Sequence, residues 1–265
     1  MSKENKITST IVIKIGGSLL GSEDTTLSDL VQLQNNGVCP IVVHGGGPVI
    51  SQWMEKQGAT PHFVRGLRVT DAASMDIVSA VLAGLVNKQL VSSIQAIGGK
   101  VLGISGADGT MLQCKILDPE LGQVGRIVNV NSDLIVTALE QGYIPIIAPI
   151  AIEVDENWSP TGTILNVNGD TAAGEIARSL KSDSIIFLTD VEGVLTTDKN
   201  LLKEIRKTEA YKLIQDEVVA GGMVPKVEAC LRALDSVNEA HIMDGRTSHA
   251  ILGFSAGKNS GTRIH

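Results

Sequence analysis

The stretch Pro40-Ile41-Val42-Val43-His44-Gly45-Gly46-Gly47-Pro48 restricts the possible folds more than any other in the chain. Ile41 to Val43 is too short and too β-branched for a helix and reads as a strand buried on both faces, as in a parallel sheet. Pro48 suits the first turn of a helix, Ile50, Trp53 and Met54 recur at helical spacing, and Gly58 supplies a stop. Between strand and helix, three residues without Cβ let backbone N–H groups approach a charged ligand at a helix N-terminus, where the macrodipole favours negative charge. A tight strand-to-helix turn is the plainer account, but one or two glycines would serve it.

Composition bears on what that anion site belongs to. The chain has 265 residues, 43% of them hydrophobic, which suffices for one large domain or two lobes. A net charge of −7 without a basic run argues against nucleic acid or an anionic membrane as partner, so an anion must be held by local groups. Cys39, Cys114 and Cys230 are odd in number and far apart, with no histidine in ligand register. Neither a disulfide framework nor a metal site is expected, and a reduced, cytoplasmic setting fits. Met1 to Thr10 is polar, Lys14 interrupts the apolar run behind it, and no stretch is read as reaching transmembrane length.

Ile11-Val12-Ile13-Lys14-Ile15-Gly16-Gly17 is an apolar strand with one lysine, running into a glycine pair. An ammonium buried there must be paired or face a polar cleft, so Lys14 either snorkels at an edge or points into a site. No Walker A spacing occurs, so a phosphate would be held another way. A helix over Thr26 to Asn36, capped by Thr26 or Ser28, completes a first β-α-β unit. After Gly66-Leu67-Arg68-Val69-Thr70-Asp71, a helix of about six turns runs to Gly98-Gly99 with Thr70 or Asp71 as N-cap. Its surplus apolar residues Val81, Val86, Leu90 and Val91 suggest a subunit contact as well as a core. Lys100 to Val130 reads as hairpins decorating a sheet, and Ile144 to Pro149 as a strand whose ends the prolines mark.

Asn166, Asn168 and Asp170 alternate where a strand gives way to a helix, and Asp170 reads as the N-cap. The apolar strand Ser184 to Thr189 ends at Asp190-Val191-Glu192-Gly193-Val194, putting a carboxylate at a strand C-terminus, the edge where open α/β sheets gather ligands. Gly221-Gly222-Met223-Val224-Pro225-Lys226 opens a last helix with a second lysine, disfavoured by the dipole unless an anion sits between.

KIGGSLL, VVHGGGP, GLRVTD, NVNGD, LTDVEGV and GGMVPK occur together in one order. By these motifs the chain resembles the amino acid kinase family from about Ile11 onward, and GLRVTD with NVNGD resembles its acetylglutamate branch. The resemblance implies a three-layer αβα sandwich with an open, mainly parallel sheet. An N-terminal lobe, residues 1–180, would bind the acyl substrate and make the dimer contact; residues 181–265 would bind ATP. The implied reaction moves the ATP γ-phosphoryl group, with Mg²⁺ arriving on ATP, to the side-chain carboxylate of N-acetyl-L-glutamate. A carboxylate is already a nucleophile, so the protein must bring two anions together and neutralise spreading charge.

By the same resemblance Lys14 sits between the reacting groups, Lys226 stabilises the ATP side and Asp170 holds both ammonium groups. Gly17 and Gly46 offer N–H donors to the phosphoryl oxygens, and Gly46 and Gly47 approach the substrate. Arg68 and Asn166 bind substrate, the guanidinium forking onto its α-carboxylate. Asp190, Val191, Gly193, Val194 and Leu195, with Gly222 and Met223, line the nucleotide. The rivals are kinases of related carboxylates, such as carrier-bound aminoadipate, and a non-catalytic nucleotide-binding regulator of the same fold. A homodimer through the long helix after Asp71 is expected. Because only Met1 to Thr10 precede the first strand, no response to arginine is expected.

Overall fold

The computed structural model describes residues 9–17, 25–258 and 260–265. Most of the N-terminal polar segment, and Ser18, Leu19 and Leu20 of the first motif, lie outside them, as does the expectation built on that segment. The chain runs through β1 (Thr10–Ile15), α1 (Thr26–Asn35), β2 (Cys39–His44), α2 (Gly47–Lys56), β3 (Phe63–Val64) and β4 (Leu67–Arg68). A 25-residue rod follows, made of α3 (Ala72–Ser79), a π-helical stretch Ala80–Val86 and α4 (Asn87–Ala96). Next come β5 (Val101–Ser105), β6 (Leu112–Ile116), β7 (Gly125–Val130), α5 (Asp133–Glu140), β8 (Ile144–Ala148), β9 (Ile150–Val154), β10 (Pro160–Asn166) and α6 (Gly169–Leu180). The last part holds β11 (Ser184–Thr189), β12 (Glu204–Ile205), α7 (Lys207–Gln215), α8 (Met223–Ala233), β13 (Glu239–Asp244), α9 (Ala250–Ser255) and β14 (Thr262–Ile264).

Eight strands form one sheet in the order β12-β14-β13-β11-β1-β2-β8-β5. Pairing is parallel from β13 across to β5, and β14 runs antiparallel to β13. Strand order reverses around β1, with β2 on one side and β11 on the other, so the glycine turns after β1 and β2 emerge at a topological switch point. Side chains alternate along β1: Val12 enters the core that includes residues of α5, α6 and α8, whereas Ile11, Ile13 and Ile15 enter the core with α1, α2, the rod and α9. Two cores with a sheet between them are the expected three-layer α/β sandwich. Fully burying one such aliphatic side chain contributes about 1.5–3 kcal/mol before ordering entropy is subtracted.

Several local expectations are corrected. Thr25, not Thr26 or Ser28, is the N-cap of α1, and it makes no side-chain cap bond. Between Lys100 and Val130 only β6 and β7 form a hairpin; they join β9 and β10 in a second, four-stranded sheet, while β5 is the parallel edge of the main one. Pro145 sits inside β8, paired in register with Leu102, not at its end. The rod is long and apolar enough, at mean hydropathy 1.5, to meet the length and composition of a membrane span. Its apolar residues nonetheless pack inside the protein: Met75, Val78, Val81, Leu82, Val86, Leu90 and Ile94 are all buried. The surplus read as a subunit contact is therefore mostly core, because the π-helical stretch turns Val81 and Val86 inward along with Leu82.

Candidate active site

Period-2 alternation sets the position of Lys14. It shares the Val12 face of β1, so its side chain rises toward α6, whose first turn carries Asp170. Lys14 Nζ lies 2.8 Å from Asp170 Oδ1, and Lys226 Nζ, from the first turns of α8, lies 3.2 Å from Asp170 Oδ2. One carboxylate thus bridges two ammonium groups that stand 212 residues apart in sequence (226 − 14 = 212). Burial pushes the Asp170 carboxyl up, but the Lys14 and Lys226 charges and their hydrogen bonds outweigh it and hold its pKa below the ordinary value. Asp170 is not the helix cap. Asn168 is: its Oδ1 accepts from the N–H of Asp170 at 2.9 Å and of Thr171 at 3.0 Å, which frees the Asp170 carboxylate for the lysines.

The two glycine turns meet at the same sheet edge. A Cβ on Gly17 would stand 3.0 Å from the nitrogen of Gly46 and 3.2 Å from that of Gly47, and one on Gly45 would stand 2.9 Å from the nitrogen of Gly17. Only glycine permits backbone to stack on backbone this closely. Gly46 is the N-cap of α2, and among the described residues the N–H groups of Gly46 and Gly47 have no protein acceptor, as expected of a helix start.

Arg68 closes the other end. It is buried, and its Nη2 donates to the Gly47 carbonyl at 3.0 Å and to Ser51 Oγ at 2.8 Å. The Phe63 ring lies over the guanidinium, 4.7 Å from centroid to Cζ. Burial lowers the guanidinium pKa, and among the described residues no carboxylate comes within ion-pair distance of it. Asn166 Nδ2 donates to Thr70 Oγ1 at 3.1 Å, and Thr70 Oγ1 donates to the Arg68 carbonyl at 2.9 Å, which ties the strand carrying Asn166 to the turn carrying Arg68.

Lys14, Gly17, Gly46, Gly47, Arg68, Asn166 and Asp170 line one cavity of about 280 Å³. With Lys226 in contact with Asp170, three cations face one carboxylate, an excess of two positive charges in a protein of net charge −7. Gly222 lines a neighbouring cavity of about 630 Å³ that shares Asn168 with the α6 end of the first. Met223 begins α8 beside it. Asp190, Val191, Gly193, Val194 and Leu195 follow β11 at the same sheet edge but line neither cavity. Val194 is a core residue whose N–H donates to Thr262 Oγ1 at 2.8 Å, while Asp190 and Val191 are exposed. Among the described residues no three His, Cys, Asp or Glu side chains cluster as metal ligands.

Phe63, Ser51 and Asn168 were not among the residues expected here. The Asn-Gly-Asp spacing carried a signal for the Asn168 cap; nothing local marks Phe63 or Ser51 as neighbours of Arg68, because those contacts are tertiary.

Comparison with known proteins places the chain in a family. A model of the amino acid kinase family matches residues 9–244. Acetylglutamate kinase of Synechococcus sp. (strain WH7803) is 42% identical over 250 residues, covering 91% of this chain and 83% of that protein. Among solved structures, a Streptococcus mutans UA159 protein superposes with a TM-score of 0.82 at 29% identity, over 96% of this chain and 98% of its own. Carbamate kinase of Giardia lamblia bound to AMP-PNP shares the fold, with a TM-score of 0.69 at 18% identity over 97% and 98% of the two chains.

Proposed function

The chain belongs to the amino acid kinase family, and from that premise we infer that it transfers the γ-phosphoryl group of ATP to the side-chain carboxylate of N-acetyl-L-glutamate. The product is N-acetyl-L-glutamyl 5-phosphate, an intermediate of arginine biosynthesis. The observation that carries this reading is Arg68, a buried guanidinium with no carboxylate partner among the described residues, in the cavity that also holds Lys14 and Asp170. A cation kept out of water without a counter-charge fits an anionic substrate that supplies one.

In the reaction a carboxylate oxygen of the substrate forms a bond to the γ-phosphorus while the bond from that phosphorus to the β–γ bridging oxygen breaks, and ADP leaves. No base is needed, because the nucleophile is ionised. Lys14 lies between the reacting groups and Lys226 offsets charge on the ATP side, each held by Asp170. The N–H groups of Gly17 and Gly46 donate to the phosphoryl oxygens, Gly46 and Gly47 approach the substrate, and Arg68 and Asn166 bind it. Mg²⁺ enters with ATP as part of that substrate. Asp190, Val191, Gly193, Val194 and Leu195, with Gly222 and Met223, line the nucleotide, so residues 1–180 serve the acyl substrate and 181–265 serve ATP. The protein works in the cytoplasm as a homodimer joined along the rod, whose outward face carries the small exposed residues Ala80 and Gly84.

The test is ADP release with MgATP across N-acetylglutamate, glutamate, aspartate, carbamate, an aminoadipate derivative and UMP. N-acetylglutamate is expected to lead in kcat/KM by at least about two orders of magnitude. A faster reaction with any other acceptor refutes the substrate, and no turnover with any of them leaves a nucleotide-binding protein without catalysis. Light scattering at twice the monomer mass supports the dimer; monomer mass refutes it.

A further inference from the structure

His44 ends β2 on the sheet face opposite Lys14 and is wholly buried. Its Nδ1 lies 2.8 Å from the Gly45 carbonyl oxygen, which can only accept, so Nδ1 carries the proton. Its Nε2 lies 3.2 Å from Asn87 Nδ2, across 43 residues of sequence. The orientation of that amide follows from its neighbours. Asn87 Nδ2 has two hydrogens and three acceptors in reach: it donates one to the Ile146 carbonyl at 2.8 Å and shares the other between the Ile104 carbonyl at 3.2 Å and His44 Nε2, while Asn87 Oδ1 accepts from Lys88 Nζ at 2.9 Å. Flipping the amide would set oxygen against two carbonyl oxygens. Hence Nε2 accepts, and a single neutral tautomer satisfies both ends of the ring.

The Gly45 carbonyl belongs to the same peptide unit as the Gly46 N–H. That unit is trans, and in a trans peptide C=O and N–H point in opposite directions within one plane. Fixing the carbonyl on the His44 ring therefore aims the Gly46 N–H the other way, toward the cavity. The unit has little freedom otherwise: a Cβ on Gly46 would stand 2.6 Å from Leu82 Cδ2, and one on Gly45 2.9 Å from the nitrogen of Gly17. Leu82 lies in the π-helical stretch and Asn87 directly follows it, so the irregular turn delivers both to the glycine loop.

We propose that His44 and Asn87 are positioning residues: Asn87 holds the His44 ring as its Nδ1–H tautomer, and that ring clamps the Gly45 carbonyl so that the Gly46 N–H meets the transferring phosphoryl group. The proposal rests on the phosphoryl-transfer reading above. Burial pushes the His44 pKa down to about 4 against the raising effect of the Gly45 carbonyl, and the Lys14 and Lys88 charges lower it further, so the ring stays neutral at working pH.

Two replacements separate a clamp from a packing residue. In asparagine the amide nitrogen stands as many bonds from Cβ as His Nδ1 does, whereas in glutamine it stands as far as Nε2. His44→Asn can restore the donor to Gly45, and His44→Gln cannot. His44→Asn is expected to keep kcat within about fivefold of the parent. His44→Gln and Asn87→Leu should each lower kcat by about 10- to 100-fold, with KM for N-acetylglutamate and ATP changing less than about threefold. Equal losses in His44→Asn and His44→Gln, or losses confined to KM, overturn the proposal. A second measurement needs no variant to fold. Ring ¹⁵N shifts of the unmodified protein, with His44 assigned among the 5 histidines by through-bond correlation to its own backbone, should show a neutral Nδ1–H pattern from pH 6 to 8. An Nε2–H tautomer, or a ring that titrates in that range, overturns the clamp. Failure of the functional reading is distinguishable, since it appears as absent turnover of N-acetylglutamate by the unmodified protein, whatever the tautomer.

Discussion

Asp170→Asn removes one charge and keeps the shape, so it isolates what the carboxylate does for the two lysines. With Lys14 Nζ at 2.8 Å and Lys226 Nζ at 3.2 Å, each attraction is worth about 5–6 kcal/mol gross at an effective dielectric of about 20. Desolvation of three buried ions offsets most of that sum, and truncating one member of a buried pair typically costs about 3–5 kcal/mol. The variant should therefore lose about 3–5 kcal/mol in urea unfolding at pH 7, within the roughly 5–15 kcal/mol of an ordinary domain, and still fold. Its kcat should fall by about two to four orders of magnitude, because two ammonium groups now repel each other and no longer hold their aim. The pH dependence has a definite sign. The Asp170 carboxyl is held below its ordinary value in the folded protein. Its stabilisation is therefore complete above the unfolded pKa of about 3.9 and is lost only as pH falls through the lower, folded value. The stability gap between parent and variant should stay level from pH 7 to about pH 5 and close in stronger acid. A gap under about 1 kcal/mol at pH 7, with kcat near that of the parent, would refute both the ion-pair reasoning and the role given to Asp170.

Lys14→Met and Lys226→Met should each lower kcat by about two to four orders of magnitude with a much smaller change in KM for N-acetylglutamate, measured by ADP release, since their charges are needed chiefly in the transition state. Near-normal kcat in Lys14→Met would make that lysine structural. Arg68→Lys should raise KM for N-acetylglutamate more than it alters kcat or KM for ATP, because a point charge cannot reproduce a fork already braced by Gly47, Ser51 and Phe63; a rise confined to KM for ATP would move Arg68 to the nucleotide. Gly45→Ala puts a Cβ 2.9 Å from the nitrogen of Gly17, a backbone atom that cannot swing aside, so activity should fall at least about 100-fold. Parent-like turnover in Gly45→Ala would mean that the two glycine turns need not stack.

The legible parts of this site were those written in short-range pattern. An apolar β-branched run breaking into glycines announced β2 and the start of α2, and a lysine inside an apolar strand announced a polar cleft. The alternation of Asn166, Asn168 and Asp170 was legible too, but the capping role fell one step out of place. Sequence alone weighs Asp and Asn equally as caps, and the choice was decided by two distant lysines that claim Asp170. The π-helical stretch was invisible for a related reason. Its seven residues, Ala-Val-Leu-Ala-Gly-Leu-Val, fit an ordinary helix, and only the fit against the glycine loop makes the wider turn favourable. Arg68 stood out by its motif, yet Ser51, Met54 and Phe63, which fix its direction, come from α2 and β3.

Strand alternation explains why the two halves of the machinery stay apart. Lys14 leaves β1 on the face of α6 and α8, so both ammonium groups and the carboxylate that holds them collect there. His44, in register beside Ile15 at the end of β2, leaves on the other face and finds the rod. Between them the chain is reduced to glycine backbone, the only material thin enough to be gripped from both sides of one sheet. On the proposed reading, a phosphoryl group at that edge would meet cations from one face and N–H dipoles braced from the other. On that reading the protein carries a net charge of −7 and still sets two anions against each other, because attraction is confined to an edge about one glycine turn wide.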